Sequence, residues 1–472
     1  MRVYSCLLAG FLAFSTLSSP AVRAADAGLD AQAIATAERL REQALAGNLA
    51  WDFVEGLTTE IGPRLAGTEA DARAVAWTKA RFEQMGFDRV WLEPVTFPVW
   101  LRQHERAEVV SPFPQPLVIT ALGGSIGTEG ALEAEVVEFA TLDALKAAPE
   151  GSLEGKIAFI SNRMERFRDG RGYGPAVGAR SQGAVEAARK GAVAVVIRSI
   201  GTSNDRFAHT GVMRYADDVP RIPAAALSNP DADQLARMLA AGHAVKLRLD
   251  IGAELPGEYT SHNVIAEVTG RELPEEVVTI GGHLDSWDQG TGAIDDGAGV
   301  AITAAAGALI ASLDGRPRRS VRVIAYANEE QGLYGGKAYA DARAAEGTVP
   351  LHQLGAESDF GAGRVYALHA GVDEAAWPVI ERIGEVLAPL GVRVEREGGG
   401  PGPDVIPIAA LGAPWAQLAQ DGTDYFDYHH TANDTLDKIE PAALDQQVAA
   451  YAVLAWLAAE TTVDFGSAPK KP

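Results

Sequence analysis

Cysteine is almost absent from this chain of 472 residues, which contains only Cys6. That residue lies inside an apolar N-terminal stretch that we expect to be removed, so the mature chain would have no thiol. This excludes disulfide bonds, a cysteine nucleophile and thiolate ligands to a metal. Any metal site in this protein must therefore be built from histidine, aspartate and glutamate.

Positive charge is also scarce. There are 41 lysine and arginine residues against 63 aspartate and glutamate residues, which gives a formal net charge of -22. Nucleic acids and anionic membranes bind basic surfaces, so the charge argues against both as partners. It favours solubility, and it allows a local cluster of carboxylates to hold cations.

Long apolar runs are missing except at the N-terminus. There Arg2 precedes the run CLLAGFLAF, and the small-residue site Val22-Arg23-Ala24 follows it, which is the layout of an export signal. We predict a signal peptide over residues 1–24 and an exported protein, periplasmic or secreted. A membrane anchor is the alternative, but the run is well short of the ~20 residues that a span needs. The later run VAITAAAGALIASL is also too short, so no membrane span is predicted.

Strand-like and helix-like segments alternate along the rest of the chain. This alternation is typical of an α/β protein with a mixed, largely parallel central sheet flanked by helices. The pattern changes at residues 125–255, which we interpret as a self-contained α/β block. We therefore predict one domain made of residues 25–124 and 256–472, with this block inserted into it.

Local signals predict the bounds of several elements. Apolar spacing predicts a helix over 31–57 and a second helix that begins after the N-cap Thr68 and stops at Gly86. Further helices are predicted at 297–312 and 334–346. AVKLRLDIGAE and HNVIAEVTG are predicted as two separate strands.

Histidine and carboxylate residues recur where predicted strands end. HLD follows VVTIGG, IDD precedes an apolar helix, NEE and ESD follow two further strands, and HHT lies near the C-terminus. Alone, HxD is typical of a turn and IDD of a helix N-cap. The adjacent glutamates after the apolar strand RVIAY are harder to explain by packing, because a buried carboxylate is costly unless it is paired or metal-bound.

Taken together, these motifs indicate a metal site. Ligand sites of doubly wound sheets collect at the carboxyl ends of the strands, and imidazole with carboxylate is the ligand set of zinc or a similar divalent ion. Two adjacent metals would need a shared carboxylate, which the IDD turn could supply. A further carboxylate that stays off the metals could act as a base on a metal-activated water, and the NEE pair offers one.

The order HLD, DD, NEE, ESD and HTxxDT resembles the family of co-catalytic zinc exopeptidases, which includes bacterial leucine aminopeptidases and glutamate carboxypeptidases. The upstream segment IGPRLAGTEADARAVAWTKARFEQMGF resembles the entry segment of that family. The block at residues 125–255 is similar to its inserted protease-associated domain. The resemblance covers nearly the whole mature chain, and it implies the zinc exopeptidase fold.

The resemblance also implies two zinc ions per chain and gives each ligand by its place in the motifs. His283 and Asp359 would bind one zinc, Glu330 and His430 the other, and Asp295 would bridge both. His430 is chosen over its neighbour because it begins HTxxDT, and Asp359 because it ends the ESD triplet.

Three further roles follow from the same resemblance. Glu329 would be the general base, which takes a proton from the bridging water and delivers it to the leaving amine. Asp285 would orient His283 through the ring nitrogen that is not on the metal. Asp296 would keep the turn in shape. Asp288 has no assigned role and is expected to be a solvated loop residue.

Candidates for the substrate pocket are less specific. Asp404 lies in the Gly/Pro-rich loop 396–414, which is either a pocket loop or a surface linker; Pro403 departs from the family pattern there. Tyr425 and Tyr428, which precede His429, either line the pocket or pack in the core, and His429 is a further pocket candidate. The inserted block would be a lid, a dimer surface or a structural appendage.

The function implied is an exported two-zinc exopeptidase that hydrolyses dipeptides or short peptides with free termini. Aminopeptidase action on longer peptides is the alternative within the class, and a mononuclear zinc cyclase is another relative. A non-catalytic, receptor-like binding protein on the same scaffold is the alternative of another class. Because all five ligand positions and the base are filled, the sequence favours an enzyme. By resemblance a homodimer is expected.

Overall fold

The computed structural model describes residues 27–468, so the predicted signal peptide lies outside the described residues. The α-helices within them are α1 (Ala31–Leu45), α2 (Leu49–Gly56), α3 (Glu69–Gln84), α4 (Leu142–Lys146), α5 (Tyr173–Arg189), α6 (Asn229–Ala240), α7 (Ala298–Ala311), α8 (Tyr334–Glu346), α9 (Trp377–Leu387), α10 (Ile406–Ala410), α11 (Tyr425–Tyr428) and α12 (Pro441–Glu460). Two π-helical turns, Leu57–Ile61 and Ala293–Gly297, precede α3 and α7.

The strands are β1 (Arg89–Ser111), β2 (Gln115–Leu117), β3 (Ile119–Ala121), β4 (Leu132–Phe139), β5 (Ile157–Ile160), β6 (Ala194–Arg198), β7 (Ala224–Leu227), β8 (Lys246–Val268), β9 (Leu273–His283), β10 (Arg319–Tyr326), β11 (His352–Glu357), β12 (Val365–Gly371), β13 (Arg393–Val394) and β14 (Trp415–Gln420). They form one sheet in the order β13-β12-β14-β11-β9-β10-β8-β4-β5-β6-β7-β3, with β1 paired to β8 and β2.

The centre of the sheet is parallel, as predicted. β10 and β11 both run parallel to β9, and β14 runs parallel to β11. The buried run Val277–His283 of β9 is covered on both faces, which is typical of a central parallel strand. Antiparallel pairs flank this core, so the sheet is mixed. The predicted α/β class, with a mixed, largely parallel central sheet flanked by helices, is confirmed.

The segment 125–255 contributes a parallel group, β4-β5-β6-β7, with α5 and α6 packed against it. This group joins the central sheet through an antiparallel pair of β4 with β8. β3 also belongs to the group, because it pairs with β7. The prediction of two separate strands, AVKLRLDIGAE and HNVIAEVTG, is wrong. Both lie in the single 23-residue strand β8, because β1 pairs along nearly its whole length.

Helix α7 forms the middle of the core. All but two of its residues are buried, and it packs on β9, β10, α2 and α12. Among the described residues, Ala293–Ala311 is the stretch that is long and apolar enough to cross a membrane, but 94% of its apolar window is buried inside the protein. It is a core helix, and no membrane span is shown.

The predicted helix bounds are close to those observed. Thr68 caps α3 by accepting a hydrogen bond from the amide of Asp71, and Gly86 follows α3 with φ +85°. The single helix predicted over 31–57 is divided at residues 46–48 into α1 and α2. Gly47 and Asn48 in this break have low helix propensity, which explains the division.

Candidate metal and active site

Three neighbouring strands bring the predicted site residues to one edge of the sheet. β9 ends at His283, and the turns after β10 and β11 carry Glu329, Glu330 and Asp359. Because β9, β10 and β11 are parallel neighbours, these side chains emerge side by side. The turn Ala293–Gly297 then delivers Asp295 to the same place just before α7 begins.

Asp295 lies between two histidines. Its Oδ1 is 3.1 Å from Nε2 of His283, and its Oδ2 is 3.3 Å from Nε2 of His430. All three side chains are buried. One carboxylate that faces an imidazole with each oxygen has the arrangement expected of a bridging metal ligand.

The remaining predicted ligands complete the two ends of this row. Oε2 of Glu330 lies 2.8 Å from Nε2 of His430, and Oδ1 of Asp359 lies 3.7 Å from Nε2 of His283. Oδ2 of Asp295 and Oε1 of Glu330 are buried without a hydrogen-bond partner. Unsatisfied buried acceptors are rare in folded proteins, and here they converge where a cation would satisfy them. The donor set therefore fits a divalent metal pair.

Electrostatics support the same conclusion. Burial raises the pKa of Glu330 to about 7, and it raises the pKa of Glu329 well above its usual range with help from the neighbouring Asp359 and Glu330 carboxylates. Burial would also raise the pKa of Asp295, but the adjacent imidazoles of His283 and His430 hold it well below its usual range. Crowded carboxylates of this kind carry surplus negative charge that dications would offset.

Asp285 and Asp296 support the ligands in different ways. Nδ1 of His283 lies 3.0 Å from the backbone carbonyl of Asp285 and 3.6 Å from its carboxylate. That carboxylate instead accepts hydrogen bonds from the amides of Glu329 and Glu330. The carboxylate of Asp296 accepts from the amides of His283 and Gly299, so it ties the strand end to the first turn of α7.

Residues of the inserted segment hold the adjacent histidines His429 and His430 in place. The sequence did not predict these contacts. Nδ1 of His430 lies 3.2 Å from the carbonyl of Thr210, and the amide of Thr210 donates to the carbonyl of His430. Nδ1 of His209 lies 2.7 Å from the carbonyl of His429. These contacts turn Nε2 of His430 toward the site. A backbone carbonyl leaves no signature in the sequence.

His429 and His430 stack with ring centroids 3.5 Å apart. Nε2 of His429 is 3.6 Å from Asp295, farther than His430, and it has no contact with Glu330. The ring of His429 is enclosed by Tyr425, Phe426 and Tyr173. The geometry thus favours His430 as the metal ligand and places His429 in the pocket wall.

A cavity of about 410 Å³ opens onto this row of side chains. Glu329, Asp359, Tyr425 and His429 line it. Asp404 does not: it is buried, its Oδ1 accepts from the amide of Gly336, and its neighbour Pro403 lines the cavity instead. A direct contact between Asp404 and substrate is therefore not supported by its position.

The inserted segment also contributes a buried cation to this cavity. Arg180 of α5 is 6% exposed and lines the cavity. Its guanidinium donates to Tyr173 and, at 3.4 Å, to the carbonyl of Thr210, whereas its Nε has no partner. Within residues 27–468 it forms no ion pair. The sequence alone assigned this arginine no role.

Asp288 is not a solvated loop residue, which corrects that expectation. Both of its carboxylate oxygens accept from Nε of Arg102, at 2.9 and 3.2 Å. Arg102 also donates to Thr120, Thr210 and the carbonyl of Ala121. Arg102 and Asp288 are 186 positions apart in the sequence. Through its contacts with Asp288 and Thr210, this arginine connects the loop after His283 to the inserted segment.

The chain is similar to known proteins in its sequence and in its fold. The model of peptidase family M28 matches residues 263–455. Carboxypeptidase Q of Mus musculus is 34% identical over 414 residues, which cover 88% of this chain and 86% of that protein. Carboxypeptidase Q of Homo sapiens is 34% identical over 417 residues with the same coverage.

Two solved structures are similar to this chain in fold. A peptidase M28 precursor from Shewanella amazonensis SB2B is 54% identical, with a TM-score of 0.91, and the match covers 93% of this chain and 99% of that one. An aminopeptidase from Aneurinibacillus sp. strain AM-1 shares the fold at 23% identity, with a TM-score of 0.62 and coverage of 91% and 98%.

The fold and the site together define a metallopeptidase whose cofactor is a pair of zinc ions. The chain belongs to peptidase family M28. The resemblance to the co-catalytic zinc exopeptidases, which the sequence motifs indicated, is confirmed.

Proposed function

We propose that this protein is an exported zinc exopeptidase that hydrolyses dipeptides, or short peptides with free termini. One observation carries the proposal: a row of buried imidazoles and carboxylates centred on Asp295 opens onto a small cavity that is also lined by Glu329 and Arg180. The row supplies a metal-dependent hydrolytic site, and the cavity limits what can reach it.

The ligand assignment follows the contacts. His283 and Asp359 would hold one zinc, Glu330 and His430 the other, and Asp295 both. When bound, the zinc pair supplies a Lewis acid that polarises the scissile carbonyl and lowers the pKa of water toward neutrality. Carbonyl oxygens of Asp285 and Thr210 orient the two histidines.

Glu329 is proposed as the general base. Its amide is fixed by Asp285, its side chain lines the cavity, and its Oε atoms make no ion pair within the described residues. Burial and its carboxylate neighbours raise its pKa, which brings it nearer to the working range of a proton carrier. Glu329 would take the proton of the attacking water and then deliver it to the nitrogen of the leaving amine.

The substrate class follows from Arg180. A buried guanidinium without an anionic partner is costly, and it pairs readily with a carboxylate. We infer that Arg180 binds the C-terminal carboxylate of the substrate, which favours dipeptidase action over aminopeptidase action on long peptides. The cavity volume of about 410 Å³ lies in the range of sites that enclose small ligands.

Three further expectations accompany this proposal. Export follows from the N-terminal signal pattern, the segment 125–255 would be a protease-associated domain, and a homodimer follows from the resemblance to the family. The contacts of Thr210 with His430 and the position of Arg180 in the cavity wall support a part for this segment in holding a metal ligand and the substrate, beyond that of a lid or an appendage.

A panel of matched peptides tests the substrate class. We expect the zinc-loaded enzyme to cleave a free dipeptide, to cleave its C-terminally amidated form much more slowly, and to leave long peptides largely intact. Efficient cleavage of long or amidated peptides would contradict recognition of the carboxylate and favour aminopeptidase action. Absence of hydrolysis of any peptide by protein that retains zinc would overturn the proposed function.

A further inference from the structure

Arg64 is a fully buried arginine that the mechanism does not use. It lies between the turn Leu57–Ile61 and α3, and its side chain is 0% exposed. Within residues 27–468 it forms no ion pair. Burying a guanidinium is expensive, so its surroundings must satisfy its donors in another way.

The guanidinium binds backbone carbonyls of one loop, residues 284–292, which we call the site loop. Nε donates to the carbonyl of Leu284, Nη1 to that of Thr291 at 2.7 Å, and Nη2 to that of Gly292 at 2.8 Å. The backbone amide of Arg64 also donates to Oγ of Ser286 at 3.2 Å. One side chain therefore fastens both ends of the loop.

These two ends adjoin metal ligands. Leu284 directly follows His283, and Gly292 directly precedes the turn that carries Asp295. Because the guanidinium is planar and rigid, its three hydrogen bonds fix the two ends of the site loop relative to each other. The distance of 3.1 Å between Nε2 of His283 and Oδ1 of Asp295 depends on that spacing.

Gly292 is fitted to this arginine. Its φ is +59°, and a Cβ there would lie 2.8 Å from Nη1 of Arg64 and 2.4 Å from Cβ of Ser286. A side chain at position 292 would push the guanidinium away from the loop. The missing side chain at position 292 thus leaves the space that the guanidinium of Arg64 needs beside the loop.

We propose that Arg64 is a positioning residue that sets the spacing of His283 and Asp295 by clamping the site loop, and so controls how tightly the metal between them is held. It touches neither metal nor substrate. The proposal rests on the ligand assignment of the proposed function.

The test measures the rate at which a chromogenic chelator removes zinc from folded holoenzyme. Arg64→Met has no donor, and the compact ammonium of Arg64→Lys cannot reproduce the planar fork of the guanidinium. Both variants should lose zinc roughly 10- to 100-fold faster, as is common for residues behind metal ligands. Hydrogen exchange at the amides of the site loop should also be faster. Gly292→Ala, which keeps the charge, should show the same two effects.

Arg319→Met is the matched control. Arg319 is 3% exposed and donates to the carbonyls of Thr461 and Val463 and to the carboxylate of Glu276. It begins β10, at the opposite end of that strand from the turn that carries the glutamates. This variant should lose stability but release zinc at the normal rate. Equal zinc loss from Arg319→Met, or unchanged zinc release and exchange in the Arg64 variants, would overturn the proposal.

Failure of the proposed function gives a different result. If the wild-type protein holds no zinc, the ligand assignment is wrong, and exchange of the site-loop amides still reports whether Arg64 clamps the loop. If Arg64→Met does not fold, the milder Arg64→Lys and Gly292→Ala variants decide the matter.

Discussion

At the scale of single residues, Glu329 and Glu330 show how adjacent glutamates acquire different roles. Both side chains line the cavity, but Glu330 is engaged by His430 at 2.8 Å, whereas Glu329 forms no ion pair within residues 27–468. The peptide geometry of the turn sends neighbouring side chains in different directions. The proposed mechanism assigns proton transfer to the unpaired carboxylate of Glu329.

The first prediction concerns this base. Glu329→Gln should lower kcat by roughly 10²- to 10⁴-fold, because the amide cannot accept the proton, while the zinc content stays unchanged. Steady-state kinetics with metal analysis of the same preparation provide the measurement. Glu150→Gln, at an exposed turn, is the control and should retain full activity. Near-normal activity of Glu329→Gln would exclude the proposed role.

The second prediction concerns Arg180. Arg180→Met should lower kcat/KM for a free dipeptide by roughly 10- to 100-fold, the value of a hydrogen bond to a charged group. For the C-terminally amidated dipeptide the variant and the wild type should be alike, because no carboxylate remains to be bound. The control is Arg189→Met, an exposed position of the same helix. An equal loss with both substrates would show that Arg180 acts only on the fold.

At the scale of elements, β10, α8 and β11 are joined by a buried polar chain. Arg322 donates to the hydroxyl of Tyr339 at 2.8 Å, and that hydroxyl lies 2.9 Å from Nε2 of His352. Nδ1 of His352 faces the carbonyl of Thr348 at 3.2 Å. In this row of hydrogen bonds, the hydroxyl of Tyr339 donates to the neutral ring of His352. The contact holds α8 onto the sheet beside the turn that carries Glu329 and Glu330.

The third prediction is an acid sensitivity that originates here. Burial, together with the nearby Arg322 and Arg343, lowers the pKa of His352 from 6.5 to about 4. The unfolded chain therefore binds the proton first, and up to roughly 3 kcal/mol of unfolding free energy is lost as the pH falls from 6.5 to about 4. Above pH 6.5 this contribution is fully present.

Denaturant titrations across this pH range measure the effect. His352→Gln should be less stable at pH 7 but should lose less stability on acidification, because one titrating group is gone. His104→Gln, at an exposed histidine, should follow the wild-type profile. If His352→Gln shows the full acid sensitivity of the wild type, other groups account for it.

At the scale of the whole molecule, the site fastens distant parts of the chain to each other. The segment before α3 supplies Arg64, β9 supplies His283, the inserted segment supplies Thr210, and the segment after α11 supplies His430. His283 and His430 both contact Asp295, Arg64 holds the loop that follows His283, and the carbonyl of Thr210 holds the ring of His430. Metal occupancy should therefore affect the stability of the entire protein.

The fourth prediction follows from this arrangement. Removal of zinc should lower the melting temperature, because ligand binding stabilises the folded state by about 4 kcal/mol at a thousandfold excess over Kd, and because the buried carboxylates then repel each other. Calorimetry before and after chelation measures the change, and added zinc should reverse it. The same chelator presaturated with zinc is the control. An unchanged melting temperature after proven metal loss would contradict this view of the site.

Much of the architecture could be predicted because it is local. Helices α3, α7 and α8 follow from apolar periodicity and capping, and the central strands from their apolar runs. Strand β8 could not be bounded from its own residues, since its unity comes from pairing with the distant β1. Local sequence patterns contain no information on which distant strand pairs with a given strand and lengthens it.

The sequence by itself determined the chemistry of the site. It contains one cysteine, Cys6, so a site with several ligands had to use histidine and carboxylates, and three of their motifs follow strands that end at one edge. The tertiary structure alone decided what supports them. It placed the carbonyl of Thr210 against His430 across 220 residues, fastened the site loop with Arg64, and buried Arg180 in the cavity wall. The physical reason is that burial and backbone contacts between remote segments exist only in the folded chain, whereas ligand type is fixed by the side chain itself.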